Sequence, residues 1–85
     1  MPADHVTKTE IFDPGEIIVK KGDAATRAYM IMSGKVRVYL ENDGKVVDLA
    51  QLGEDEIFGE TAIFSGSEYG ANVMALEETE LMVIT

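Results

Sequence analysis

Short apolar runs alternate with turn-forming residues along most of this chain. Gly, Pro, Asn or Asp bounds many of these runs, a pattern typical of short strands joined by turns. The predicted strands are Thr9 to Phe12, Ile17 to Val19, Ala28 to Met32, Lys35 to Glu41, Val46 to Leu52, Ala71 to Leu76 and Leu81 to Ile84. The pattern therefore favours an all-β roll, barrel or sandwich.

The clearest local pattern is a hairpin over residues 35–52. Apolar and polar residues alternate in its first half, which predicts a strand buried on one face, with Arg37 and Tyr39 pointing outward. Asn42-Asp43-Gly44 follows, and these residue types tolerate the positive φ that a hairpin turn needs. The predicted inner face consists of Val36, Val38, Leu40, Val47, Leu49 and Leu52.

One short segment is predicted to be helical, and the rest of the chain between strands is predicted to be turn. The helix is expected at Glu60 to Phe64, between Gly59 and Ser65-Gly66. Glu77 to Glu80 is predicted to be a solvated turn because three of its four residues are acidic. No internal repeat or linker is evident, so residues 9–85 are expected to form one domain after a flexible N-terminus, residues 1–8.

Composition narrows the partners that this domain can have. The chain has 85 residues, with 16 acidic and 7 basic side chains and a formal net charge of −9. Such a surface repels phosphates and anionic lipid headgroups, so we expect neither nucleic acid nor a membrane as a partner. The sequence contains no apolar run near the ~20 residues that span a bilayer. The absence of cysteine fits a reducing, cytoplasmic location.

The sequence contains few residues that could support catalysis or bind a metal ion. His5 is the only histidine, and it lies in the predicted flexible terminus. A metal site or histidine-based catalysis is therefore not expected, which also argues against a small cupin-like enzyme. The acidic clusters Glu54-Asp55-Glu56 and Glu77-Glu78 match no calcium-loop spacing and are interpreted as solvated turns.

The segment from Gly53 to Phe64 has the features of a binding turn. A strand end is predicted to pass through Gly59 into the first turn of a helix, where unpaired main-chain N–H groups attract anions. Glu60 would repel a phosphate, but a carboxylate accepts hydrogen bonds from sugar hydroxyls. Phe58 and Phe64 are expected to anchor the turn in the core.

An ordered set of motifs extends from about Ile11 to Thr85. The motifs are Phe12-x-Pro14-Gly15-Glu16-x-Ile18, Gly22-Asp23, Tyr29-x-Ile31-x-Ser33-Gly34-x-Val36-x-Val38, Gly53, Phe58-Gly59-Glu60-x-Ala62 and Ala75-Leu76-Glu77-x-x-Glu80-Leu81-x-Val83-Ile84. With this set of motifs, rather than with any single one, the chain resembles the cyclic-nucleotide-binding domain family. The resemblance implies an antiparallel β-roll or jelly-roll of about seven or eight short strands with one short helix.

The resemblance also implies a phosphate- and ribose-binding cassette. Main-chain N–H groups of Gly59 and Ala62 would bind the phosphate, and Glu60 would bind the ribose 2′-hydroxyl. The family places an arginine against the cyclic phosphate, but Tyr69 stands at that position here, after Glu68. The ligand-binding residues implied in this way are Phe58, Gly59, Glu60, Thr61, Ala62, Tyr69, Gly70, Ala71 and Asn72.

Loss of the arginine is expected to weaken binding of cyclic AMP or cyclic GMP by roughly 100-fold or more, because a charge-assisted pair is missing. The side chain of Tyr69 either lies exposed in a loop or fills the empty pocket, and Arg27 remains free to reach a pocket. We expect a regulatory ligand-sensing domain without catalysis, which acts through an effector domain. The alternative is a binding-defective interaction or oligomerisation module.

Overall fold

The computed structural model of the chain describes residues 8–84, without the side chain of Phe64. The predicted flexible N-terminus thus lies outside the described residues except for Lys8, and so does the predicted anchoring role of Phe64. The elements are β1 (Lys8–Phe12), β2 (Ile17–Val19), β3 (Ala28–Ser33), β4 (Val36–Asn42), β5 (Lys45–Leu52), β6 (Ile57–Phe58), α1 (Glu60–Ser65), β7 (Asn72–Ala75) and β8 (Thr79–Ile84).

The strands form two antiparallel sheets of four strands each. One sheet has the order β1-β8-β3-β6 and the other has the order β2-β7-β4-β5. The apolar core lies between the sheets, and Ile31, Val36 and Leu81 in it are 0% exposed. The predicted all-β antiparallel architecture with one short helix is confirmed, and the predicted hairpin over residues 35–52 is present as β4 and β5.

Two turns have the conformations that their residue types predict. The main-chain N–H of Glu16 donates to the carbonyl of Asp13, which closes the turn at Pro14-Gly15. At the tip of the hairpin, Asp43 and Gly44 both have positive φ, at 51° and 80°. Positive φ at both central residues is the geometry that suits the right-handed twist of a two-residue hairpin.

The predicted inner face of the hairpin is wrong in its outer half. Val47 and Leu49 are 50% and 53% exposed, whereas Tyr39, predicted to point outward, is 7% exposed. A bulge shifts the register between Val38 and Tyr39 and leaves Leu49 between paired positions. Because β7 pairs with β4 only from Val36 to Tyr39, the outer half of the hairpin extends past its neighbouring strand.

The predicted solvated turn at Glu77 to Glu80 is present at Glu77 and Glu78, which are exposed between β7 and β8, but it is wrong from Thr79 onward, where β8 begins. Thr79 is 0% exposed. Its hydroxyl oxygen accepts from the N–H of Lys35 at 3.2 Å, and it lies 2.8 Å from the carbonyl oxygen of Glu77. These bonds join the β3–β4 turn to the β7–β8 turn, which explains why a polar residue is buried there.

Gly34, in the β3–β4 turn, lies against the same threonine. Its φ is +100°, and a Cβ at this position would lie 2.5 Å from Thr79 Oγ1 and 2.6 Å from the carbonyl oxygen of Glu78. Both the backbone conformation and the close approach therefore require glycine.

Candidate functional site

The turn of the implied cassette, here called the cassette turn, runs from Phe58 through Gly59 to Glu60 and joins β6 to α1. Phe58 is 7% exposed and its ring stacks on Tyr29, with centroids 5.2 Å apart, so the turn is anchored in the core. Gly59 has φ +88°, and a Cβ there would lie 3.1 Å from the carbonyl oxygen of Arg27 and 3.3 Å from the ring of Tyr69. Glycine is needed here because the β2–β3 connection and Tyr69 both press against its backbone.

The arm opposite the turn, residues 67–73, is held by main-chain hydrogen bonds to residues 22–25. The N–H of Tyr69 donates to the carbonyl of Asp23 at 3.0 Å, and the N–H of Gly22 donates to the carbonyl of Tyr69 at 2.9 Å. The N–H of Ala25 donates to the carbonyl of Ser67 at 3.2 Å. The arm is therefore part of a short antiparallel pairing and not a free loop.

The Tyr69 side chain is fixed at the inner end of this arm. Its hydroxyl donates to the carbonyl of Arg27 at 2.6 Å, and its oxygen lies 3.3 Å from the N–H of Arg27, which donates to it. The residue is 8% exposed, which excludes the exposed-loop interpretation. Burial raises the pKa of Tyr69 above its ordinary value of 10.0, while the hydrogen bond to the Arg27 main chain opposes that shift.

A cavity of about 210 Å³ lies where the turn, the arm and two strands meet. Most of the residues proposed from sequence contribute to its wall. The lining residues are Val19, Val38, Phe58, Gly59, Thr61, Ala62, Tyr69, Gly70, Ala71 and Val73. Reasoning from the sequence missed the three valines, because a valine in a strand has no feature that distinguishes a cavity wall from ordinary core.

Two of the residues proposed from sequence lie outside this lining. Glu60 is exposed at the start of α1. Asn72 is half-buried, and its side-chain oxygen accepts from the main-chain N–H of Lys21 at 2.9 Å, so it ties the arm to the β2–β3 connection. In this conformation neither side chain faces the cavity.

The described lining of the cavity carries no positive charge. Arg27 lies nearby, but its guanidinium pairs with Glu10 of β1 at 3.3 Å and is not part of the lining. The Tyr69 hydroxyl proton is already bonded to a carbonyl. A cyclic phosphate therefore does not fit the residues present, because its charge would lose water without gaining a cation in return.

No helix among residues 8–84 is long and apolar enough to cross a membrane. Over the same range, no three His, Cys, Asp or Glu side chains come together in a group that could hold a metal ion. His5 lies outside the described residues.

Comparison with known proteins identifies the family of this domain. The family model described as the cyclic nucleotide-binding domain matches residues 9–85. The chain therefore belongs to the cyclic-nucleotide-binding domain family, and the resemblance noted in its motifs is confirmed.

Individual relatives are similar over most of this chain. A cAMP-dependent protein kinase type II regulatory subunit from Drosophila melanogaster is 41% identical over 64 residues, which is 75% of this chain and 17% of that protein. A cyclic AMP receptor protein from Thermus thermophilus is 35% identical over 75 residues, which is 87% of this chain and 35% of that protein. The cAMP-bound structure of the EAL enzyme Bd1971 is 38% identical with a TM-score of 0.89, covering 92% of this chain and 21% of that one.

These relatives are much longer than the matched region. The chain spans about a sixth to a third of the two curated relatives, and a similarly small part of the EAL enzyme. What the sequence matches is thus the regulatory domain that proteins of different activity share.

Proposed function

We propose that this chain is a regulatory ligand-sensing domain of the cyclic-nucleotide-binding type, with no catalysis of its own. The cavity between the cassette turn and the arm carries this proposal, because it lies where two separate motifs of the family meet. Among the described residues that line it, only Thr61 and Tyr69 have polar side chains, and neither is a carboxylate or an imidazole. The wall is suited to holding a ligand rather than to transferring its protons.

Ligand binding would change the turn at Gly59 and pass to a neighbouring effector domain or subunit. The connection is direct, because the carbonyl of Arg27 accepts from Tyr69 and the Arg27 side chain pairs with Glu10 of β1. A cytoplasmic location for the whole protein is part of the proposal.

Titration calorimetry with cyclic AMP and cyclic GMP tests the site. Tyr69 offers no charge to a phosphate, so the parent chain is expected to bind either nucleotide more weakly than micromolar. Tyr69→Arg should bind about 100-fold more tightly, because a charge-assisted pair replaces a neutral side chain. Tyr69→Phe is the matched control, since it changes the same wall and adds no charge.

Two results would contradict different parts of this reasoning. Micromolar binding by the parent would support a sensing function but would show that the arginine position does not set the affinity. A folded Tyr69→Arg variant that gains nothing over Tyr69→Phe would show that the cavity is not a nucleotide-type site, and the sensing function would lose its main support.

The second candidate is a binding-defective module that associates with a second copy of itself. The edge strand β5 favours it, since Val46 and Val47 are 46% and 50% exposed there. The charges of Lys45 and Asp48 cancel along this strand although the chain as a whole carries −9. A neutral, exposed apolar edge is the kind of strand that pairs with another. This candidate would be favoured if Tyr69→Arg showed no binding in titrations with cyclic nucleotides and the parent chain were a dimer.

A further inference from the structure

We propose that the cavity selects an uncharged, ring-containing small molecule and rejects anions. This inference rests on the proposed function, in that it takes the cavity to be the ligand site. The first observation is the chemistry of the wall, where Val19, Val38, Phe58, Ala62 and Val73 supply apolar surface. Apolar walls of this kind favour a flat hydrocarbon or heteroaromatic face.

The second observation is that the phenol hydroxyl of Tyr69 already has a hydrogen-bond acceptor within the protein. Tyr69 donates its hydroxyl proton to the Arg27 carbonyl at 2.6 Å, so it has no second proton to give to a ligand. An anion entering the cavity would therefore meet no cation among the described lining residues, and the Thr61 hydroxyl would be the one side-chain donor besides Tyr69 that faces it, so most of its lost hydration would go uncompensated.

The third observation is the charge around the cavity. Glu60 and Glu68 are exposed, and each is next in sequence to a lining residue, Thr61 and Tyr69 respectively. On the basic side, Lys20 is exposed next to the lining residue Val19, whereas Arg37, next to Val38, pairs with Asp48, and Arg27 pairs with Glu10. Two acidic side chains and one exposed basic side chain thus flank the lining, and the net charge of −9 repels anions in the same sense.

The size of the cavity indicates which part of a ligand it can enclose. At about 210 Å³ it exceeds the ~150 Å³ that holds a benzene ring and falls short of the ~300 Å³ at which pockets for drug-sized ligands begin. One ring or two fused rings can therefore be enclosed, and because the cavity is open to solvent, the rest of a ligand can extend outside it. A polar group on such a ring can bond main-chain atoms at Gly70, where an added Cβ would meet nothing within 4 Å.

The test compares two probes of the same shape that differ by one negative charge, indole-3-carboxamide and indole-3-carboxylate. Each is titrated into the ¹⁵N-labelled full chain, and amide shifts are followed at Gly59, Thr61, Ala62, Gly70 and Ala71. We expect the carboxamide to shift these amides saturably, with a dissociation constant of about one millimolar or tighter. The carboxylate should bind at least about tenfold more weakly, because its charge is not compensated.

A pair of variants locates the binding. Ala71→Leu enlarges a side chain of the wall and should abolish saturable shifts, whereas Ser67→Leu adds a similar apolar group to an exposed position of the same arm and should leave them unchanged. Equal sensitivity of binding to both substitutions would mean that the probe binds outside the cavity, which overturns the inference.

The remaining outcomes separate this inference from the proposed function. Equal or tighter binding of the carboxylate, or no saturable shift with either probe, overturns the ligand class. If Tyr69→Arg nevertheless gains affinity for a cyclic nucleotide, the cavity remains a ligand site and only the inference about uncharged ligands fails. If neither probe binds and Tyr69→Arg gains nothing, both proposals fail.

Discussion

Removal of the Tyr69 hydroxyl is the perturbation that most directly tests how the cavity wall is held. Tyr69→Phe keeps the ring against Gly59 and removes the bonds to the main chain of Arg27, at 2.6 and 3.3 Å. A hydrogen bond contributes about 0.5–1.5 kcal/mol net, and the longer of these two adds little. Because Arg27 is only half-buried, water can replace part of the loss at its main-chain groups. The expected cost is about 1 kcal/mol in the free energy of unfolding.

Urea denaturation measures this cost as a lower midpoint with an unchanged m-value. In a thermal melt, about 1 kcal/mol corresponds to a fall of about 4–8 °C for a domain of this size. The same pair of proteins gives a second measurement at high pH. Burial raises the pKa of Tyr69 above 10.0, so the folded chain holds this proton to higher pH than the unfolded chain does.

The sign of the pH effect follows from that shift. The stability that neutral Tyr69 contributes is fully present below about pH 10 and is lost as the pH rises through the raised pKa of the folded state. Phenylalanine cannot ionise, so the deficit of Tyr69→Phe relative to the parent should narrow above pH 10. A deficit that stays constant from pH 7 to 11, or no deficit at pH 7, would refute the account of Tyr69 as a buried, hydrogen-bonded wall.

Two further predictions concern the framework of the roll. Gly34→Ala should cost more than about 3 kcal/mol, since it adds both the strain of φ +100° and a clash with Thr79, whereas Gly44→Ala meets nothing within 4 Å and should cost only about 1–2 kcal/mol. Equal costs in thermal denaturation would contradict this. The parent chain should also scatter light as more than a monomer at high concentration, and Val47→Lys should restore the monomer by placing a charge on the edge strand. A monomeric parent would contradict the proposed self-association.

The sequence was sufficient for the fold because its local and long-range signals agree. Glycines with positive φ stand at Gly15, Gly22, Gly34 and Gly44, where turns were expected. Val36 is fully buried on the predicted inner face. The order of the motifs then determined the family, and the family model matches residues 9–85.

Where the interpretation failed, the cause is a long-range contact that alternation does not encode. Val47 is exposed because β7 ends beside Tyr39, and the length of a neighbouring strand cannot be read from the hairpin itself. Thr79 is buried because a turn distant in sequence needs its hydroxyl. Both depend on contacts between residues more than thirty positions apart. The order of strands in a sheet depends on contacts of the same kind.

The same distinction between local patterns and long-range contacts applies to the prediction of the site. Main-chain placement of the cassette turn and the arm followed from the motifs, since Gly59 and Ala71 both reach the cavity. The partners of the Tyr69 hydroxyl could not be foreseen, because they are main-chain atoms of Arg27, 42 positions away. Asn72 likewise bonds the main chain of Lys21 in place of facing a ligand.

The pairing of the arm with residues 22–25 has a consequence for how the cavity opens. Both main-chain groups of Tyr69 bond across this pairing, to Gly22 and Asp23, and its hydroxyl bonds the Arg27 carbonyl in the same connection. To swing away, the arm must break its main-chain bonds to Gly22, Asp23 and Ala25, and displacement of the Tyr69 ring also breaks the bond to Arg27. We expect this opening to be a concerted local unfolding, so that the amide hydrogens of Gly22, Ala25 and Tyr69 share one free energy of opening in hydrogen exchange.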